Sequence, residues 1–196
     1  LLHHNSELGE FFLSSDQIAN TYTGSKKMSH VVDQVSKDEM EYFSNIRATI
    51  AGHAIFPANR IENKMTINGA RGVSHKIRDR FDLTLECIRR FYNDEDSPLK
   101  VVFERYADFF YLFQDFQGYV DFFLYQDLIE GDYSKVRFWH PFDEFKTSPL
   151  PTNLEEYLSY KEKVIDFLKK RNDRILKENK HRLKHEYSLN REGMNE

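Results

Sequence analysis

The strongest alternation of apolar and polar positions lies over residues 72–92. With a turn of about 100° per residue, Ile77, Phe81, Thr84, Leu85 and Ile88 share one helical face. Asp79, Asp82, Glu86, Arg89 and Arg90 share the opposite face, with Leu83 and Cys87 on a flank. The pattern predicts one central helix over 72–92, ended by Asn93-Asp94-Glu95-Asp96. A second run follows, in which Leu99, Val102, Phe103, Tyr106, Phe109, Phe110 and Phe113 keep helical spacing behind Ser97 as cap and Pro98 at the first helical position. Gly118 then separates a further helix over 119–129. Tyr157, Val164, Leu168 and Ile175 mark the apolar stripe of a last helix, opened by a capping box from Asn153 to Glu156. Past about Lys177 the stripe fades into charge, and the tail is expected to fray.

Before residue 72 the signals are shorter. Residues 8–13 are aromatic and bounded by Gly9 and Ser14-Ser15-Asp16, which predicts an edge strand followed by a turn or helix cap. Ser36-Lys37-Asp38-Glu39 is a capping box that opens a short helix to about Asn45. Residues 46–56 are β-branched and small, a strand stopped by Pro57. Residues 61–67 are expected to pair with it as a hairpin turning near Asn59 or Asn63-Lys64. Val136 and Phe138 alternate with Arg137 and Trp139 as a short strand, and Ser148-Pro149-Leu150-Pro151 is a stiff connector. The sum is an α+β fold: a predominantly helical single domain over 1–176 whose small N-terminal β-sheet packs against the helices, with 177–196 a charged helix end or tail.

Composition narrows the function classes. Hydrophobic residues at 40% and aromatics at 15% exclude a disordered chain. A net charge of -4 gives no basic footprint, so no general nucleic-acid binding is expected. Asp108, Asp115, Asp121 and Asp127 interrupt the longest apolar runs, so no membrane span is expected. Cys87 is the single cysteine and has no intrachain partner; without a visible signal peptide, a cytoplasmic location is expected. The chain opens without Met, and an upstream continuation is expected.

The polar face of the central helix carries acids and arginines with almost no lysine. Asp82 and Glu86 sit one turn apart. In one reading they are paired carboxylates of shifted pKa, acting as base or metal ligand, while Arg71, Arg80, Arg89 and Arg90 hold an anionic substrate. In the other they form a structural ion-pair network. In Asn68-Gly69-Ala70-Arg71-Gly72, two glycines at a helix entry can expose backbone N–H groups to phosphate, and Arg71 adds a planar fork. The plain reading is a tight strand-to-helix turn. His53, in an apolar strand, is either an acid/base group or a packed histidine. His3, His4, Glu7 and Asp16 are metal-ligand types, but adjacent strand histidines face apart, so no metal site is expected. Ser14-Ser15-Asp16 near Tyr22 faintly resembles the NAD-binding core of ADP-ribosyltransferases without a matching motif; a capping role suits it better. The aromatic run 103–123 reads as core, and Cys87 as a buried hydrophobe.

Residues 6–16, Ile55-Phe56-Pro57, Thr66-Ile67-Asn68-Gly69-Ala70-Arg71-Gly72, residues 79–90 and Gly118-Tyr119-Val120-Asp121-Phe122-Phe123 resemble a family of uncharacterised bacterial proteins classed as a domain of unknown function. The resemblance runs to about Arg174. It implies bacterial or phage-associated origin and a further N-terminal segment, and brings no activity, cofactor or site residues. Two functional readings therefore stand: a protein binding a small anionic, nucleotide-like or phosphorylated ligand at the Arg71 turn, with or without catalysis, and a non-catalytic interaction protein whose charged helix face is scaffold.

Overall fold

The structure, a computed structural model, describes residues 2–6 and 9–192; Glu7, one of the expected metal-ligand types, lies outside them. Its sheet has three antiparallel strands in the order β1 (Leu2–Ser6), β2 (Gly9–Gln17) and β3 (His53–Pro57). Leu2 faces Leu13 and His4 faces Phe11, while Leu13 faces Pro57 and Ser15 faces Ile55. Side chains alternate between faces, and cross-strand partners share one. Ser14, Asp16, Ala54 and Phe56 thus point to one side, Phe11, Leu13 and Ile55 to the other.

Two expectations change here. Ser14-Ser15-Asp16 are strand, because Asn68 donates to Ser14 Oγ at 3.1 Å and Arg71 to Asp16 Oδ2 at 2.9 Å; the polar strand end is held by tertiary partners. Residues 61–67 form no hairpin with β3, whose partner is β2. Ile67 instead opens α3 (Ile67–Val73), capped by Thr66, whose hydroxyl accepts from Gly69 N–H at 3.2 Å.

Of the expected strand 46–56 only its end is strand. α1 (Ser29–Val32) leads to α2 (Lys37–Arg47), which runs through Ile46 and is followed by a 3-10 turn at Ile50–Gly52. The Ser36 cap is present: its hydroxyl accepts from Glu39 N–H at 3.3 Å.

The expected central helix is two helices. α4 (Phe81–Tyr92) follows α3 after a break in which Arg78 and Asp79 adopt left-handed φ of 49° and 59°. Ile77, Phe81, Thr84, Leu85 and Ile88 are buried, as the periodicity predicts. So are Asp82 and Glu86, so α4 is buried on nearly every side.

The aromatic run is also divided, into α5 (Lys100–Arg105), α6 (Ala107–Tyr111) and α7 (Phe116–Phe123). Gly118 lies inside α7 rather than before it: a Cβ there would sit 2.1 Å from the Phe113 carbonyl oxygen. Asp115 caps that helix by accepting from Gly118 N–H at 2.7 Å. A 3-10 turn follows at Gln126–Leu128, and the expected strand near Val136 is a single bridge to Ile129.

α8 (Leu154–Glu192) starts at the Asn153 cap, with Glu156 N–H donating to Asn153 Oδ1 at 2.9 Å. It clasps the N-terminal third. Tyr157 donates to Thr21 O at 2.6 Å, and Arg171 to Ala51 O and His53 O at 2.6 and 3.0 Å. Tyr160 donates to Asn20 O at 3.1 Å and accepts from Asn20 N–H at 3.2 Å. The molecule is a predominantly helical α+β domain, as the hydrophobic pattern predicts.

Candidate functional site

Arg71 comes from α3 and is fully buried. Its Nε donates to Thr84 Oγ1 at 2.9 Å and its Nη1 to Asp16 Oδ2 at 2.9 Å. The guanidinium lies between the rings of Phe56 and Phe81, at 5.8 and 5.9 Å from their centroids. Arg71 therefore ties β2, β3, α3 and α4 together, and presents no donor to solvent. Asn68, beside it, donates from Nδ2 to Ser14 Oγ, while its buried Oδ1 accepts no hydrogen bond among the described residues.

Arg80 and Asp82 form a second closed group, both at 0% exposure. Arg80 Nε and Nη2 donate to the two Asp82 oxygens at 3.1 and 2.5 Å. Nη1 and Nη2 also donate to Pro149 O and His140 O, each at 3.0 Å. Asp82 Oδ2 accepts from Trp139 N–H at 2.9 Å. The pair pins the 139–149 connection onto the start of α4. Planar bidentate geometry with every remaining donor met is what makes a buried ion pair tolerable.

Glu86 forms the third. It accepts from Arg89 Nε and Nη2 at 2.9 and 3.0 Å and from Arg90 Nε at 2.7 Å. Arg89 continues to Glu95, and Arg90 to Glu144 and Asp96 O. Arg90 also lies against the rings of Phe142 and Phe145. The hydrogen bond to Glu86, first among several causes, holds the Arg89 guanidinium above its ordinary pKa. His53 is half-buried at the start of β3, its Nδ1 3.0 Å from Thr49 O. The residues expected as one site are thus three separate, internally paired groups and a packed histidine. Asp82 and Glu86 carry no carboxylate oxygen that lacks a protein donor.

An open polar site lies next to them instead. Two cavities of about 210 and 300 Å³ share Asn20 and Asp79 in their walls. The strap 19–27, Arg47 at the end of α2, Gly72 of α3 and the break at Arg78 and Asp79 enclose them. Gly72 is small because Asp79 comes close: a Cβ there would meet Asp79 Oδ1 at 3.3 Å. The Asp79 carboxylate accepts no hydrogen bond among the described residues. Burial pushes its pKa above the ordinary value; nearby Arg71 opposes the shift and Asp16 adds to it.

Around Asp79 stand four cations. Arg47 donates to Ala19 O, and its buried Nε has no acceptor; burial lowers its pKa. The side chains of Lys26, Lys27 and Arg78 make no hydrogen bond or close ion pair among the described residues. Asp16, the other acid in the wall, is committed to Arg71. The cleft thus holds an excess of unpaired positive charge over one unpaired acid, which suits an anion bearing a hydrogen-bond donor. None of Asn20, Lys26, Lys27, Arg47 and Arg78 stands out in the sequence, since they meet only through tertiary packing. Among the described residues no group of three or more His, Cys, Asp or Glu could hold a metal ion, and no helix is long and apolar enough to cross a membrane.

The model of a family described as "Family of unknown function (DUF6994)" matches residues 1–175. No curated protein and no solved structure matches the chain.

Proposed function

The chain belongs to the DUF6994 family, whose function is unknown, and we propose that it is a non-catalytic binding protein for a small phosphorylated or nucleotide-like ligand held in the Asp79 cleft. The observation that carries this reading is the set of unpaired cations, Lys26, Lys27 and Arg78, around one unpaired carboxylate. The cations would take the phosphate, and Asp79 would accept from a sugar hydroxyl or amine. Two successive non-glycine residues in left-handed backbone border the cleft. Strain of this kind costs about 1 kcal/mol or more per residue and concentrates at ligand sites. The cavity sizes suit a small ligand. Catalysis by Asp82 or Glu86 is not part of the reading, because both are fully paired.

The test is a thermal-shift and calorimetric series with inorganic phosphate, glucose 6-phosphate and AMP, with glucose and adenosine as controls. At 100 times its dissociation constant a ligand adds about 2.7 kcal/mol of stability. The phosphorylated probes should shift the melting temperature and the controls should not. Lys26→Ala combined with Arg78→Ala should weaken binding at least about tenfold, the order expected for a lost charged hydrogen bond. Absence of any phosphate-dependent shift, or equal affinity in the double variant, would dispose of the proposal.

A further inference from the structure

What the walls of the Asp79 cleft lack narrows its ligand to one class. The apolar side chains lining its two cavities, Ala19, Tyr22 and Leu150, are only 1, 2 and 9% exposed. Tyr22, the one aromatic residue among the lining residues, packs its ring near those of Tyr157 and Tyr160, with centroids 6.4 and 5.6 Å away. A nucleobase is bound chiefly by stacking, most often on an aromatic ring, and the cleft has no open ring to offer. Its open surface is amide, hydroxyl, guanidinium, ammonium and carboxylate.

These groups are divided between the two cavities. Lys26, Lys27 and Arg78 line the smaller, of about 210 Å³. Arg47 lines the larger, of about 300 Å³, together with Thr21 and Thr23, whose hydroxyls are 3.1 Å apart. Asn20 and Asp79 belong to both walls. Asn20 is held firmly. Its backbone N–H donates to the Tyr160 hydroxyl at 3.2 Å, which donates back to its carbonyl at 3.1 Å, and its Oδ1 accepts from Tyr22 N–H at 2.8 Å. Its Nδ2 donates to nothing among the described residues, and neither does Arg47 Nε. Unused donors from Asn20 and Arg47 thus share a wall with an unused acceptor, Asp79. A sugar hydroxyl both donates and accepts, so neighbouring hydroxyls can donate to Asp79 and accept from Asn20 or Arg47. A hydrocarbon chain satisfies none of the three, and a buried polar group left unpaired is costly.

On the premise that the cleft takes a phosphate, we propose that its ligand is a sugar phosphate, with the phosphate among Lys26, Lys27 and Arg78 and the hydroxyls at Asn20, Arg47 and Asp79.

Calorimetric titration of the full chain compares glucose 6-phosphate and ribose 5-phosphate with inorganic phosphate, n-butyl phosphate and AMP. The sugar phosphates should bind at least about tenfold more tightly than inorganic phosphate or butyl phosphate, the order of one hydrogen bond to a charged group. AMP should bind no more tightly than ribose 5-phosphate, since its base finds no ring. Asp79→Asn removes a carboxylate from beside the phosphate, so inorganic phosphate should bind at least as well as to the parent, which also shows that the cleft is folded. The advantage of glucose 6-phosphate over inorganic phosphate should fall about fivefold in this variant, because a charged acceptor bonds roughly twice as strongly as a neutral one. If the variant does not fold, the ligand series on the parent decides alone. Butyl phosphate binding as well as the sugar phosphates, AMP binding more tightly than ribose 5-phosphate, or a sugar advantage unchanged in folded Asp79→Asn overturns the inference and leaves a phosphate site standing. Binding of none of the phosphorylated probes overturns the phosphate site and the inference together.

Discussion

Removing the charge of Asp82 should cost the domain a large part of its stability and release the 139–149 connection. Arg80 is at 0% exposure, and both Asp82 oxygens bind it. Breaking a buried pair by deleting one partner costs about 3–5 kcal/mol, because the other charge is left uncompensated. Domains of this kind are stable by about 5–15 kcal/mol in total. Asp82→Asn keeps the shape and one acceptor, so about 3 kcal/mol is expected; Asp82→Leu should reach the upper end. An isolated pair can often be replaced by two hydrophobic residues at little cost. This one should not tolerate it, because His140 O, Pro149 O and Trp139 N–H would all lose their partners. Each buried orphan costs about 1–3 kcal/mol, so Arg80→Met with Asp82→Leu should remain destabilised. Trp139 is the single tryptophan, and its backbone bonds to Asp82, so urea unfolding followed by its fluorescence reads the affected corner directly. Hydrogen exchange should show its amide losing protection. A loss below about 1 kcal/mol in Asp82→Asn with the Trp139 amide still protected, or a double variant as stable as the parent, would refute the argument.

Asp79→Asn should raise the melting temperature at pH 7. A carboxyl whose folded pKa is raised favours folding at low pH and loses that contribution as pH rises through the folded value. The gain should therefore vanish below the ordinary value of 3.8; a gain that persists there contradicts the assignment. Cys87, buried and with its pKa pushed up to about 12 by that burial, should resist a thiol reagent at pH 8 until urea opens the fold. Modification within the mixing time of native protein would place it elsewhere. Gly118→Ala forces a methyl to within 2.1 Å of a carbonyl oxygen and should cost about 1–3 kcal/mol in urea titrations, whereas Gly131→Ala, with nothing within 4 Å of its Cβ, should be nearly neutral.

What could be read from the chain was local. The Ser36 and Asn153 caps, the apolar face of Phe81, Leu85 and Ile88 and the aromatic core follow from spacing within a few residues. The break before α4 could not be foreseen, since Arg78 and Asp79 take left-handed backbone where no glycine or proline announces it. Ser14-Ser15-Asp16 looks like a turn because strand polarity is satisfied there by Asn68 and Arg71, more than 50 positions away. The charged stripe was visible as residue types. Whether it opened on water depended on Trp139, His140, Pro149 and Glu144, which arrive from a distant connection. The cleft at Asp79 was invisible for the same reason: its walls come from five separated stretches.

The clasp of α8 sets a schedule for how this chain becomes a protein. The carbonyls of Asn20, Thr21 and Ala51 wait for Tyr160, Tyr157 and Arg171, which lie 140, 136 and 120 positions later. At about 5–20 residues per second of synthesis, the first strands leave the ribosome many seconds before their last partners exist. Those carbonyls have no partner from α8 through that interval, so the domain closes only after most of it has been made. Its exposure to chaperones and to aggregation is governed by the arrival of its final helix.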